Sequence, residues 1–423
     1  MANLPQAGIT NRPPEHLLLA TFDFASQDVR AALHDLSGVL KAELTSDLNR
    51  ELSEEEKDKP SEESGELGFD DHYDRAHLTV TLGISASGFE KLGIPEAERP
   101  ADLRPIPWAN LVDEPPAATS GDLVLQICAD NLYICEHVVR HIERQLEGEL
   151  TLLATTIGSQ RYNSRPGRTA KREGRALIGF LDGTSNLNPR NSPDDAKLVF
   201  VDPAEVGDYP KNPQTEPPPE KTQYGQEPGK GPHFPPDLHD VPTQEPAWTE
   251  GGTYMAVRTS TFDTVAWDKL SQNDQEHTVG RFKVSGASLD LRDEDDDLEK
   301  EPAFALEQAN DAVPVTAHMR KANPREAAEE DAKRRIYRRG YPLIAGADGS
   351  LRRGLVFICF ARTISTQFEF IVRGWLRNPD FPTQGAGVDP LFEKVGEKVL
   401  GGGYYFVPPV EHRTEPWTWR LPG

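Results

Sequence analysis

The sequence predicts an α+β chain built from two ferredoxin-like modules with antiparallel sheets. Three observations carry that expectation. Apolar patterns in the first half follow a strand–helix–strand–strand–helix–strand order, the second half repeats that order less cleanly, and a proline-rich stretch separates the two. At 423 residues the chain also exceeds what one compact core usually holds.

Residues 17–24 read as a strand, followed by a helix with Val29, Ala32, Leu33, Leu36 and Leu40 on one stripe. A second strand covers residues 77–84. A third, at 123–129, leads into a helix with the stripe Leu132, Cys135, Val139, Ile142 and Leu146, and residues 150–157 close the set. This is the split ferredoxin-like pattern.

In the second half, residues 253–261 read as a strand and 263–280 as helical. Ser271 and Asp274 are spaced like a capping box for a restart. Residues 354–361 (GLVFICFA) are continuously apolar, which suits a strand buried on both faces. The helix after it puts Phe368, Ile371, Val372 and Trp375 on one side, and residues 404–407 form the last strand. The halves share a pattern but no clear sequence repeat.

These readings divide the chain into an N-terminal module (1–202), an insertion (203–246) and a C-terminal module (247–423). The insertion holds 12 of the 36 prolines. Proline fixes φ and lacks a donor, so the insertion is not helix or sheet interior; it is draped over the surface or partly mobile.

Charge excludes some partners. With 69 acidic and 46 basic residues, the net charge of −23 repels a duplex or an anionic membrane. The basic stretch 161–175 holds five Arg and one Lys, but no aromatic beyond Tyr162. No apolar run approaches the ~18 residues of a membrane span. The expectation is no nucleic acid and no membrane partner; a homo-oligomer stays open. The acidic runs at 51–66 and 290–301 read as solvated loops. Three cysteines, without CxxC spacing and each in an apolar stretch, read as buried free thiols. With no signal pattern at the N-terminus, a cytoplasmic protein is expected.

Three segments carry residue types that sit poorly in a purely structural role. In Gly179-Phe180-Leu181-Asp182-Gly183, an Asp follows what reads as an apolar strand end (ALIGFL), a partly buried position, though for the motif taken alone a β-turn Asp capping its own backbone is the better explanation. In His318-Met319-Arg320-Lys321-Ala322-Asn323-Pro324-Arg325, a His precedes three cations and a helix-breaking Asn-Pro. A metal beside an anionic ligand would explain both halves of that motif. Arg338-Arg339-Gly340-Tyr341, taken alone, is a surface turn.

Together and in this order, the three segments resemble the dye-decolourising haem peroxidase family. The family's GxxDG stands here as GFLDG, its HxRxxNPR as HMRKANPR, and its distal-arginine RRG as RRGY, 20 positions after His318. GGTYMAVR, FDTVAWDKLS, GLVFICF and GGGYYFVP extend the resemblance over most of the chain.

The resemblance implies one haem b per chain, held by the C-terminal module, with His318 as the axial iron ligand. Asp389, in VDPLF, is the expected acceptor for the other ring nitrogen. Asp182 is the expected acid–base catalyst and Arg338 its partner, the guanidinium favouring the ionised carboxylate over the desolvation that opposes it. Arg325, with Arg320, is expected on haem propionates, a task that suits the guanidinium fork. Leu355 and Phe357, alternate residues of one strand, would wall the pocket. The implied partners are hydrogen peroxide and an organic electron donor such as a dye or phenol, oxidised by single electrons.

The Arg-x-Asn branch of the family does not match, since Gly340 stands at that position. The missing twin-arginine signal counts against the exported deferrochelatase-like branch. The runner-up is a haem-handling protein, deferrochelatase-like or a carrier, with little peroxidase turnover; it would need His318 but neither Asp182 nor Arg338. Other motifs fall away. GQEPGKGP lacks phosphate-loop spacing, and His137 and His141, at i, i+4, read as a solvated helix face for want of a third ligand.

Overall fold

The fold is taken from a computed structural model that describes residues 4–45, 77–106, 120–163, 173–212, 232–236, 238, 242–291, 312–324, 329–345, 351–412 and 415–422. Most of the acidic runs, the centre of the basic stretch and Arg325 lie outside the described residues.

The first module consists of β1 (His16–Phe24), β2 (Thr79–Ile84), β3 (Leu123–Ala129) and β4 (Leu150–Ser159). Helices Val29–Leu44 and Leu132–Gln145 cover the sheet, started by Asp28 and Asn131, whose side chains accept from Ala31 N and Tyr133 N. The sheet order is β2-β3-β1-β4, all antiparallel. That is the ferredoxin-like order. A short pair, β5 (Arg161–Asn163) with β6 (Glu173–Arg175), follows.

The second module repeats the order with β7 (Thr253–Thr261), β9 (Tyr341–Ala345), β10 (Leu351–Ala361) and β11 (Lys398–Val407), arranged β11-β7-β10-β9. A two-residue strand, β8 (Tyr337–Arg338), pairs with the end of β10. Between β7 and β8 the predicted long helix is broken into Thr264–Asp268 and Gln272–Val279, capped by Asp263 and Ser271, and Gly280 ends the second at φ 91°. The short helix His318–Ala322 follows. Ile364–Leu376 is wound as a π-helix and is buried on every side.

The two sheets meet edge to edge. β11 touches β2 through Phe406 and Ile84, and β4 touches β9 through Ile157–Ala345 and Gly158–Leu343. With β7 paired to β10, strands β7-β11-β2-β3-β1-β4-β9-β10 close into a ring. Alternation then sorts the side chains. Leu17, Leu19, Val124, Cys128, Met255, Val257, Val356, Ile358, Tyr405 and Val407 fill the barrel, while Leu18, Ala20, Leu125, Ile127 and Ala256 pack under the helices.

Two readings of the sequence are corrected. Residues 176–181 are not a strand but a turn, closed by Ala176 N to Phe180 O at 3.0 Å. Ile178 and Phe180 go into a small separate core with Trp267, Val279 and Val395, so the apolar run anchors a loop instead of a sheet. RRGY is not a surface turn: Arg339 and Tyr341 are buried and the segment runs from β8 into β9. Arg339 donates to Ile9 O and Asn11 O, pinning the N-terminal segment over the barrel end.

Candidate active site

A cavity of about 290 Å³, in the size range of small-molecule sites, opens on the outer face of the second sheet. Leu355 and Phe357 of β10 form one wall; Phe368, Ile371, Val372 and Trp375 of the π-helix form another. Phe357 and Phe368 stack at 5.9 Å. The alternation that sends Val356 and Ile358 into the barrel sends Leu355 and Phe357 into the cavity.

His318 reaches the cavity from the first position of its helix, and Met319 and Ala322 line it beside His318. Its Nδ1 lies 2.6 Å from Asp389 Oδ2. Asp389 is itself fixed: it is buried, and its Oδ1 accepts from Leu391 N at 2.9 Å as cap of the helix Pro390–Lys394. A carboxylate has only lone pairs to offer, so the proton between the two sits on Nδ1, which leaves Nε2 as the nitrogen that could bind a metal. This is the arrangement of a metal-binding imidazole backed by a carboxylate.

Arg338 and the 176–185 loop make a further side. The Arg338 guanidinium donates to Thr184 O at 2.7 Å. Asn186 brackets the Arg338 backbone, accepting from its N at 3.0 Å and donating to its O at 2.8 Å. Asp182 lines the same cavity, but it is exposed where the sequence predicted partial burial. Its Oδ1 accepts from Gly183 N at 2.7 Å, so it does what a turn Asp does while standing on the cavity wall. The cause is the turn at 176–181, which buries Ile178 and Phe180 and leaves Asp182 at the rim.

Comparison with known proteins agrees with this geometry. The Dyp-type peroxidase N-terminal pattern matches residues 6–158 and the C-terminal pattern matches residues 235–412. The chain belongs to the Dyp-type peroxidase family. A deferrochelatase of Escherichia coli is 27% identical over 413 residues, covering 96% of this chain and 82% of that protein. The structure of a DyP-type peroxidase from Cellulomonas bogoriensis superposes with a TM-score of 0.67 at 25% identity, covering 98% of this chain and 97% of that one. A variant of DypB from Rhodococcus jostii, determined in complex with heme, gives 0.62 at 20% identity with 99% of each chain covered.

In this Dyp-type peroxidase, the structure brings His318, Asp182, Arg338, Leu355 and Phe357 to one cavity, with Asp389 directly behind His318. Arg320 is elsewhere. It is buried, donates to Val313 O at 2.9 Å and does not line the cavity, which removes the support for a propionate role. Lys321 is also spent inside the protein, donating to Asn378 O and Gly387 O, and burial pushes its pKa down to about 8 against the opposing pull of Asp389. Arg320, two residues on from His318, projects from the opposite side of the short helix, and Lys321 is drawn off by the carbonyls of Asn378 and Gly387.

Sequence reasoning missed other cavity cations. Arg281 donates to Ser185 Oγ at 3.0 Å and Arg335 to Ser185 O at 3.3 Å. Arg258 lies against Glu397 at 2.5 Å and over the Phe392 ring. Only Arg258 carried a signal, inside GGTYMAVR; Arg281 and Arg335 stand in no pattern. Arg281, Arg335 and Arg338 outweigh Asp182 in charge, so the cavity, with its aromatic and aliphatic walls, suits an apolar ligand with anionic groups.

Proposed function

We propose that this peroxidase binds one haem b per chain in the cavity, with His318 Nε2 on the iron, and uses hydrogen peroxide to oxidise bulky donors such as dyes and phenols by single electrons. The observation that carries the reading is the His318–Asp389 pair opening on the same cavity as Asp182 and Arg338. The residues fit the cofactor: an imidazole with one ring nitrogen committed, aromatic and aliphatic walls, and surplus arginine charge. Haem supplies the redox-active iron that accepts oxidising equivalents from peroxide and releases them singly.

The chain supplies the rest. Asp389 holds the His318 proton on Nδ1 and raises the basicity of Nε2. Asp182, oriented through Oδ1 by Gly183 N, takes the proton from the inner peroxide oxygen at Oδ2 and returns it to the outer one. Arg338, held by Thr184 and Asn186, stabilises the negative charge that develops on the leaving oxygen. Arg281 and Arg335 offer positive charge to the propionates. Arg325, outside the described residues, is assigned to them by the family motif alone. The three cysteines are buried and free, which supports a reducing compartment, and we read the protein as cytoplasmic. Among the described residues no helix is long and apolar enough to cross a membrane.

The test uses purified protein loaded with haem. A Soret band together with peroxide-dependent dye bleaching is expected, and both should be lost in His318→Ala while circular dichroism is kept. A mutant with full haem and an unchanged spectrum would overturn the axial assignment. Haem retained by wild type without dye or phenol turnover would favour the haem-handling reading.

A further inference from the structure

His137 and His141 lack a third ligand when the sequence is read alone, but the fold provides one. Glu43, at the last turn of helix Val29–Leu44, faces both imidazoles across the gap to helix Leu132–Gln145. His141 Nδ1 is hydrogen-bonded to Glu43 Oε1, and His137 Nε2 lies 3.4 Å from the same oxygen. The imidazole centroids are 6.0 Å apart, and one ligand atom from each of the three residues falls within 4.8 Å of the others. None of the three lines the cavity described above.

We propose that Glu43, His137 and His141 form a binding site for a divalent cation of the zinc class, clamping the two outer helices of the first module. The i, i+4 spacing puts both imidazoles on one helix face. Metal–ligand bonds of about 2.0 Å put the ligand atoms of a tetrahedral site about 3.3 Å apart, close to the His137–Glu43 separation. Two imidazoles and a carboxylate are the ligand set of several zinc sites and suit zinc better than magnesium or calcium.

Charge provides an independent argument. Glu43 is only 4% exposed and sits at the negative end of its helix dipole, the wrong end for an anion. A buried carboxylate in that position favours positive charge beside it, and a divalent cation held by the two imidazoles would supply it. The histidine side chains are 15% and 20% exposed, so solvent can complete the coordination shell and the ion can exchange.

The experiment uses full-length, haem-loaded protein, dialysed against a chelator that leaves haem iron in place and titrated with Zn²⁺ alone. One zinc per chain is expected, with a rise in Tm, and Glu43→Gln and His141→Ala should each bind at least ~10-fold more weakly with Soret band and dye turnover unchanged. Wild-type protein that takes up no zinc, or Glu43→Gln that binds it as tightly as wild type, overturns the proposal. The wild-type titration decides the matter even where a variant fails to fold.

Discussion

Asp389 serves His318 and the chain at once: Oδ2 meets His318 Nδ1 at 2.6 Å, while Oδ1 caps the helix Pro390–Lys394. The two duties can be separated. Asn caps helices as well as Asp but carries no charge to hold the imidazole proton. Asp389→Asn should therefore keep its stability within about 1 kcal/mol while haem affinity falls about 10–100-fold. Asp389→Ala should lose the cap too, costing a further ~1 kcal/mol. Haem titration and denaturant melts on both variants check this; equal haem affinity in Asp389→Asn and wild type would contradict it.

Arg338→Leu removes both the fixed charge and the donor to Thr184 O. The peroxide step, followed by rapid mixing, should slow by about 10²–10³-fold, the usual cost of one donor at developing negative charge. Arg338→Lys should recover part of that loss, because the charge remains while the planar fork does not. Unchanged peroxide kinetics in Arg338→Leu would refute its role.

Glu245 gives a pH prediction. Burial raises its pKa to about 7, against hydrogen bonds from Tyr254 Oη and Ala101 N that oppose the rise. The folded state thus favours the protonated carboxyl. Its contribution to stability is complete below the ordinary value of 4.5 and is lost as pH rises through about 7. The loss amounts to about 3 kcal/mol across that window. Glu245→Gln should shift stability by a constant and flatten this slope, which urea melts at pH 5, 6, 7 and 8 would show.

Gly354 sits where β10 passes β7, and a Cβ there would lie 1.8 Å from Ser260 O. The obstacle is backbone, which cannot swing aside. Gly354→Ala should destabilise by at least ~3 kcal/mol and loosen haem, since Gly354 and Ser260 both line the cavity. A melt within 1 kcal/mol of wild type would show that the strands adjust.

Legibility in the sequence followed pattern strength. The strands at 123–129 and 253–261 coincide with β3 and β7, whose sequences LVLQICA and TYMAVRTST are rich in apolar and β-branched residues. β8 and β9 escaped detection because Arg338, Arg339 and Pro342 interrupt any alternation. The seam between modules pairs strands far apart in the chain and closes over a shared barrel core, which no local period encodes. At the site, His318 and Asp389 are separated by 71 residues, and no local period encodes their contact; the family motif supplies His318, and Asp389 is only an expectation from the VDPLF segment. Arg320 was misplaced because neighbours in a motif were treated as neighbours in space. Glu43 went unnoticed as a partner for His137 and His141 because it lies on another helix.

The closed ring has a consequence for the chain as a whole. Each of its strands has a neighbour on both sides, but each half alone would leave two strands with one side unpartnered: β2 and β4 in one, β9 and β11 in the other. Bare strand edges are adhesive, recruiting whatever backbone they meet. A gene divided between Val201 and Thr253 should yield fragments that aggregate when made singly and that capture one another when made together, rebuilding both seams. Fused to the two parts of a split reporter, such fragments would signal their own reunion.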